Sequence, residues 1–388
     1  MCLAAGGSGC GAPARQPGGK LYALVTNGGN DTVSVIDLAK LRAVAHIGVG
    51  RDPTGLAVRP GPEATGHGSE VWVVATGANR VDVIDVAAGR VVARIPVGAR
   101  PFFIDFTPDG RRAFVANSGS GTVSVIDCVH YQVEATVRVG LGPGMARVTP
   151  DGGLVIVPNR GDDTVTLLAA DSLAVVATLP VADSPEAVAV LPDSSKAFVT
   201  ASGANQVSAV DLRRRALLAN IAVGETPVAL TVKPDGGEVF VANFGAHTVT
   251  AINAWRNEVT DTLPAGRNPA GLVAASDNAT LYVSNFGSNQ VFEVDVETRR
   301  VRRAIPVGHQ PEAMALTPEG TLLVVSAGSG QLGVIQPGAE ALSALIPVGR
   351  APRSVAVVRV PPMLESKGKK ALPAARSTPG RRREDSGP

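Results

Sequence analysis

The chain has 388 residues, 45% of them hydrophobic and 18% charged, with a formal net charge of +2. That length exceeds what one hydrophobic core normally serves, and no apolar run reaches the ~18 residues of a membrane-spanning helix. The three cysteines, Cys2, Cys10 and Cys128, include no CxxC pair. This excludes covalent haem attachment through CxxCH and zinc ligation at the usual spacings.

In chain order, Met1–Cys10 comes first, a short apolar stretch with small residues ahead of Cys10. It is too short for a whole secretory signal. Residues 1–20 are read as a disordered segment or the remnant of an export signal, which implies a periplasmic, secreted or cell-surface protein. From residue 21 onward one phrase keeps returning: Val-Gly, two variable residues, a proline, an apolar strand and often a Pro-Asp-Gly turn. Its prolines are Pro53, Pro101, Pro143, Pro185, Pro227, Pro269, Pro311 and Pro352, at steps of 48, 42, 42, 42, 42, 42 and 41. A period this regular marks copies of one structural unit.

The copy from Pro101 to Gly140 shows the unit. Phe102–Phe106 is a first strand, closed by the turn Thr107-Pro108-Asp109-Gly110, in which proline and glycine set the turn geometry. Ala113–Asn117 is a second strand. Thr122–Asp127 alternates polar and apolar residues, the strand period, and Val133–Gly140 is a fourth. No apolar period of 3.6 residues runs for ten residues, so almost no helix is expected.

Four short antiparallel strands per unit of this length make one propeller blade. The chain opens on a second strand, Leu21–Thr26, and ends on a spare first strand, Arg353–Arg359. Pairing Ser354–Val358 with that opening strand closes the ring and removes its free edges. The expected fold is therefore all-β: an eight-bladed β-propeller over residues 21–360, with seven blades plus an appended half-sheet as the alternative. Residues 361–388 hold seven Lys/Arg against three acids and read as a disordered basic tail. Without that tail (+4) and residues 1–20 (+2) the ring is near −4, which argues against a nucleic-acid-binding face.

The phrases Leu24-Val25-Thr26-Asn27, Phe240-Val241-Ala242-Asn243 and Tyr282-Val283-Ser284-Asn285 resemble the signature of the YVTN-repeat β-propellers. So do Val33–Asp37, Val81–Asp85 and Val123–Asp127, and the Ile-Pro-Val-Gly of Ile95–Gly98, Ile305–Gly308 and Ile346–Gly349. The resemblance covers about residues 21–360 and implies an exported binding or structural protein. Related propellers house lactone hydrolases and haem or quinone enzymes, so the fold does not settle activity. Where the repeated asparagine becomes Ala75, Ala201 or Ser326, and the aspartate Ala169, Asn253 or Gln336, those columns read as structural fixtures.

Specificity is expected where the repeat varies. The pair before each proline, the residue after it, and the loop between second and third strands should ring the mouth of the channel. The ligand-binding candidates there are Arg51, Arg100, Phe102, Arg160, Glu186, Phe244, Phe286, His309, Glu312 and Arg353. Phe244 and Phe286 hold the same position in adjacent blades, able either to form an apolar floor for a ligand or to plug the gap between blades. Asp105 and Arg147 interrupt an otherwise small column of the first strands, so they should pair across one blade interface, in a buried setting. The histidines His46, His67, His130, His247 and His309 show no metal-binding spacing, and no GxSxG, P-loop or HExxH phrase occurs. The function expected is a monomeric, non-catalytic binding or scaffold propeller without metal or cofactor. It would recognise a protein or small ligand at the mouth. The alternative is a propeller enzyme, either a lactone hydrolase or a haem or quinone redox protein.

Overall fold

In the computed structural model, residues 19–61 and 69–360 are described. The export-signal reading, the basic tail and His67 fall outside them, apart from Gly19 and Lys20. The described residues form eight four-stranded antiparallel sheets arranged as consecutive blades, with a short 3-10 turn at Thr76–Ala78. The eight-bladed expectation holds and the seven-bladed one does not.

Blade 3 is representative. Its strands run Pro101–Phe106, Arg112–Asn117, Thr122–Asp127 and Gln132–Arg138, from the channel outward. Blade 1 is built from both ends of the chain. Lys20–Asn27, Thr32–Asp37 and Arg42–Gly48 supply its outer three strands, and Pro352–Val360 supplies the innermost. The closing register runs from Lys20 opposite Val360 to Asn27 opposite Pro352. It fills the edge that Lys20–Asn27 would otherwise present to solvent.

Burial follows position within the blade. Second strands are buried on both faces, as in Glu70–Ala75 and Lys196–Ala201, and their sequences are nearly all apolar. Fourth strands alternate exposed and part-buried residues, as in Arg42–Gly48 and Gln132–Arg138. A one-residue bulge between third and fourth strands pushes Val44, Val92 and Leu218 outward, which accounts for their exposure. Neighbouring blades share their cores. Trp72, Val74 and Val83 of blade 2 pack with Ile104, Phe106 and Ile126 of blade 3 around Cys128. Leu323, Val325 and Val334 of blade 8 pack with Ala23, Val25 and Ile36 of blade 1.

Third strands depart from the simple strand rule. Their alternation does not mark a wet face: Ser34, Ser124, Thr166, Ser208 and Thr250 are buried. In blade 3, Asn117 Nδ2 donates to Thr122 Oγ1 at 3.1 Å and to Ser124 Oγ at 2.9 Å. Asn27, Asn159 and Asn243 do the same in their blades. The repeated asparagine is thus an internal tie, and it explains the Val-Gly glycine as well. A Cβ at Gly98 would lie 2.6 Å from Asn117 Cγ, and one at Gly349 would lie 2.5 Å from Asn27 Cγ. Blade 5 lacks the asparagine, having Ala201, and there the glycine is Ala182, whose N–H bonds to Ser208 Oγ at 3.2 Å. Blade 2 has Ala75, and Asp82 takes over, accepting the Gly50 N–H at 2.6 Å and pairing with Arg80 at 2.7 Å.

Candidate functional site at the channel mouth

Each innermost strand begins at one face of the ring, so the loop entering it and the loop between second and third strands lie side by side there. The backbone bonds Gly28 N to Ala351 O, Thr76 N to Asp52 O and Phe244 N to Thr226 O hold the two together. The residue before each proline adopts a left-handed conformation in every copy, with φ from 46° at Ala351 to 62° at Gly142. Six of these eight turns are clipped by the preceding blade. Asp31 caps Asp52 N, Asn79 caps Arg100 N, Asp163 caps Ser184 N, Asn205 caps Thr226 N and Asn289 caps Gln310 N, all at 2.9 Å. His247 Nδ1 accepts from Asn268 N at 3.1 Å. Sequence reasoning missed these clips, although their signal is a column of Asp, Asn or His just before the third strand in six of the eight blades. They fix the mouth in one shape, and they give His247 a structural task.

On this scaffold the ten candidates separate into groups. Phe244 and Phe286 meet, ring centroids 6.0 Å apart at 54°, both partly exposed. Their loops are joined by Asn268, which donates to Phe244 O and accepts from Phe286 N. Glu312 and Arg353 follow on the innermost strands of the next two blades. Crowding by protein raises the Glu312 carboxyl above its ordinary range, and the charge of Arg353 pulls it back in part. Arg353 also reaches Asp52 at 3.7 Å across the seam between blades 1 and 2. His309 is exposed, its N–H bonded to Ser329 Oγ at 3.1 Å. Phe244, Phe286, Glu312 and Arg353 therefore occupy four consecutive blades, 6, 7, 8 and 1.

The other candidates do not join this group. Phe102 is 51% exposed, Arg100 and Arg160 are exposed, and Glu186 is partly so. None of the four side chains touches another through a hydrogen bond, ion pair or ring contact among the described residues. Arg51 folds onto the neighbouring second-to-third-strand loop of blade 2, with Nη2 donating to Gly77 O at 3.0 Å. A cavity of about 680 Å³ also opens on this face at the closure seam, lined by Asn30, His46, Ser329 and Arg350 among others.

Asp105 and Arg147 do face each other across blades 3 and 4, with Arg147 Nη1 3.2 Å from Asp105 Oδ2. The expected burial is not found: the side chains are 22% and 36% exposed. The reason lies in blade 4, whose innermost strand shrinks to Arg147–Val148: Pro143 bridges Asn159 and Gly144 N–H bonds to Pro158 O at 3.3 Å, but Pro158 of the partner strand has no N–H to return. That shortening leaves the pair open to water. Arg147 covers the Phe103 ring at 4.9 Å, and Asp105 also accepts the Val148 N–H at 3.1 Å.

A second polar cluster escaped the sequence entirely because its members come from distant turns. Between blades 2 and 3, buried Glu70 accepts from Tyr131 Oη at 2.6 Å, Arg59 Nη1 at 3.1 Å and Trp72 Nε1 at 3.4 Å. Burial pushes the Glu70 carboxyl up, but these bonds and the Arg59 charge outweigh it and hold the group below its ordinary range. Burial and the Glu70 contact push Tyr131 up to about 12, and burial pushes the Cys128 thiol up to about 12. A thiol so protonated is a packing group. No group of His, Cys, Asp and Glu suited to hold a metal ion occurs among the described residues, and no helix there is long and apolar enough to cross a membrane.

A closed ring of eight such blades, with its variable residues gathered at one mouth, is a β-propeller. The chain belongs to the YNCE-like beta-propeller family, which its residues 59–362 match. No curated protein matches it in sequence. Among solved structures, the dihydro-heme d1 dehydrogenase NirN in complex with DHE is 14% identical, with a TM-score of 0.72 over 86% of this chain and 74% of that one. Hydrazine synthase from Kuenenia stuttgartiensis is 20% identical, with a TM-score of 0.58 over 69% of this chain and 92% of that one. A protein of unknown function from Desulfotomaculum acetoxidans is 16% identical, with a TM-score of 0.59 over 87% and 98%. Identities this low establish a shared fold and nothing more.

Proposed function

We propose that this protein is a binding module that works outside the cytoplasm as a monomer, with its ligand or protein partner held at the channel mouth. The observation that carries the proposal is the Phe244–Phe286 pair, two part-exposed rings 6.0 Å apart that meet across adjacent blades at the mouth. On the next two blades stand Glu312, whose carboxyl is raised above its ordinary range, and Arg353. Aromatic surface flanked by a few polar groups suits a flat organic ligand or an aromatic side chain of a partner. The clips across the mouth keep these groups in place before binding, which lowers the ordering cost.

A second reading, a redox propeller carrying a cofactor in the channel, draws on the likeness to a dehydrogenase in complex with DHE. One preparation separates the two. Protein purified from its native source is subjected to native mass spectrometry and visible absorbance, beside a Phe244→Ala/Phe286→Ala variant. A colourless protein that carries or captures a partner, and loses it in the double variant, supports the binding module. Stoichiometric visible absorbance supports the redox reading. Full retention of the bound species by the double variant removes the Phe pair from the site.

A further inference from the structure

We propose that the face opposite the mouth carries a docking corner for an anionic phospholipid surface, formed by the third-to-fourth-strand turns of blades 5 and 6. Trp255 is 60% exposed at one turn tip, with Arg256 beside it. The neighbouring tip is Arg213-Arg214-Arg215, all three exposed. No other blade places a tryptophan or three consecutive arginines at this turn.

The two tips are tied together. Lys196, buried, lies opposite Asp211 at the base of the arginine turn. Its ammonium donates to Ala254 O at 2.6 Å, to Asn257 Oδ1 at 2.8 Å and, more weakly, to Trp255 O at 3.4 Å. The tryptophan turn of blade 6 is thus held against the arginine turn of blade 5 by a residue that no ligand would touch.

Charge decides the partner. Arg213, Arg215 and Arg256 make no ion pair among the described residues, and Arg214 reaches Asp211 only at 3.6 Å. Asp193 lies near Arg213 but is engaged by Ser195, whose N–H and hydroxyl it accepts at 3.0 and 2.7 Å. Glu258 and Asp235 are further exposed acids close by, and Asp235 is paired with Lys233 at 2.9 Å. An indole set among arginines is suited to the headgroup zone of a membrane, where the ring enters the acyl boundary and the cations meet lipid phosphates. Docking through this face leaves the mouth pointing into solution, free to bind.

The test uses the full chain and exploits its tryptophans, Trp72 buried and Trp255 exposed. Vesicles of phosphatidylglycerol mixed with phosphatidylcholine should sediment the protein at low salt and shift its tryptophan emission to the blue. Pure phosphatidylcholine should do neither. Trp255→Ala, and separately Arg213→Glu/Arg215→Glu, should each weaken sedimentation roughly tenfold, as losing an interfacial anchor or its charges predicts. Thermal melts equal to the parent's show that the turn variants fold. Sedimentation with no emission shift, or unchanged in both variants, would mean that the basic tail binds instead and would overturn the proposal. An equal shift with soluble polyglutamate would overturn it too, assigning the corner to an acidic protein.

Discussion

Arg147 of blade 4 reaches back to Asp105 of blade 3, with 3.2 Å between Nη1 and Oδ2, and the same carboxylate oxygen accepts the Val148 N–H at 3.1 Å. One aspartate thereby joins two innermost strands at the point where the second of them is too short to hold itself. Because both side chains are partly wet, Asp105→Ala should cost about 1–2 kcal/mol, the scale of a solvated pair plus one charged hydrogen bond. A buried pair would cost about 3–5 kcal/mol. Asp105→Asn, which keeps an acceptor for Val148, should recover part of the loss. Urea unfolding of the three proteins distinguishes these cases.

Gly98 and Asn117 are coupled by space. A Cβ at residue 98 would sit 2.6 Å from Asn117 Cγ, so Gly98→Ala should destabilise by about 1–3 kcal/mol through overpacking. Asn117→Ala should cost a similar amount by unpairing buried hydroxyls. The double variant should cost less than the two together, because blade 5 already lives with Ala182 and Ala201. Strict additivity in a double-mutant cycle would show that the two side chains do not compete for one volume.

Ring closure rests on residues 352–360. A chain ended after Val360 should melt like the parent, whereas one ended after Ala351 loses the innermost strand of blade 1 and bares Lys20–Asn27. The shorter chain should melt lower by roughly 10 °C or more and self-associate through that edge. Equal melting temperatures with a monomeric elution profile would contradict the closure.

The Glu70 cluster gives a pH signature. Its folded carboxyl lies below the ordinary range, so its contribution is fully present above that range and is lost as pH falls through the folded value. Tyr131→Phe removes the 2.6 Å donor and should cost about 1–2 kcal/mol at neutral pH. The gap from the parent should narrow as pH falls below the ordinary carboxylate range and Glu70 takes up a proton in both proteins. Stability curves that stay parallel across that interval would remove Glu70 from the effect.

Much of the fold was legible because the repeat is long-range information written in one dimension. The eight prolines, the Pro-Asp-Gly turns and the opening second strand named both the blade count and the closing strand. The mouth was legible as a position, and Phe244 and Phe286 were placed side by side by their shared column. The third strands hide their burial in sequence: Thr122–Asp127 alternates polar and apolar residues, yet Ser124 is buried against Asn117. Hydroxyls satisfied inside a blade look, in sequence, like hydroxyls facing water.

By itself the sequence determined the unit, its number and its order, since each blade packs on copies of itself and needs only local patterning. Tertiary structure alone decided how wet a pair such as Asp105–Arg147 is, which loops clip which, and which turns meet through Lys196. Those depend on distances between residues about 20 to 60 positions apart, set by the closed ring and not by the chain.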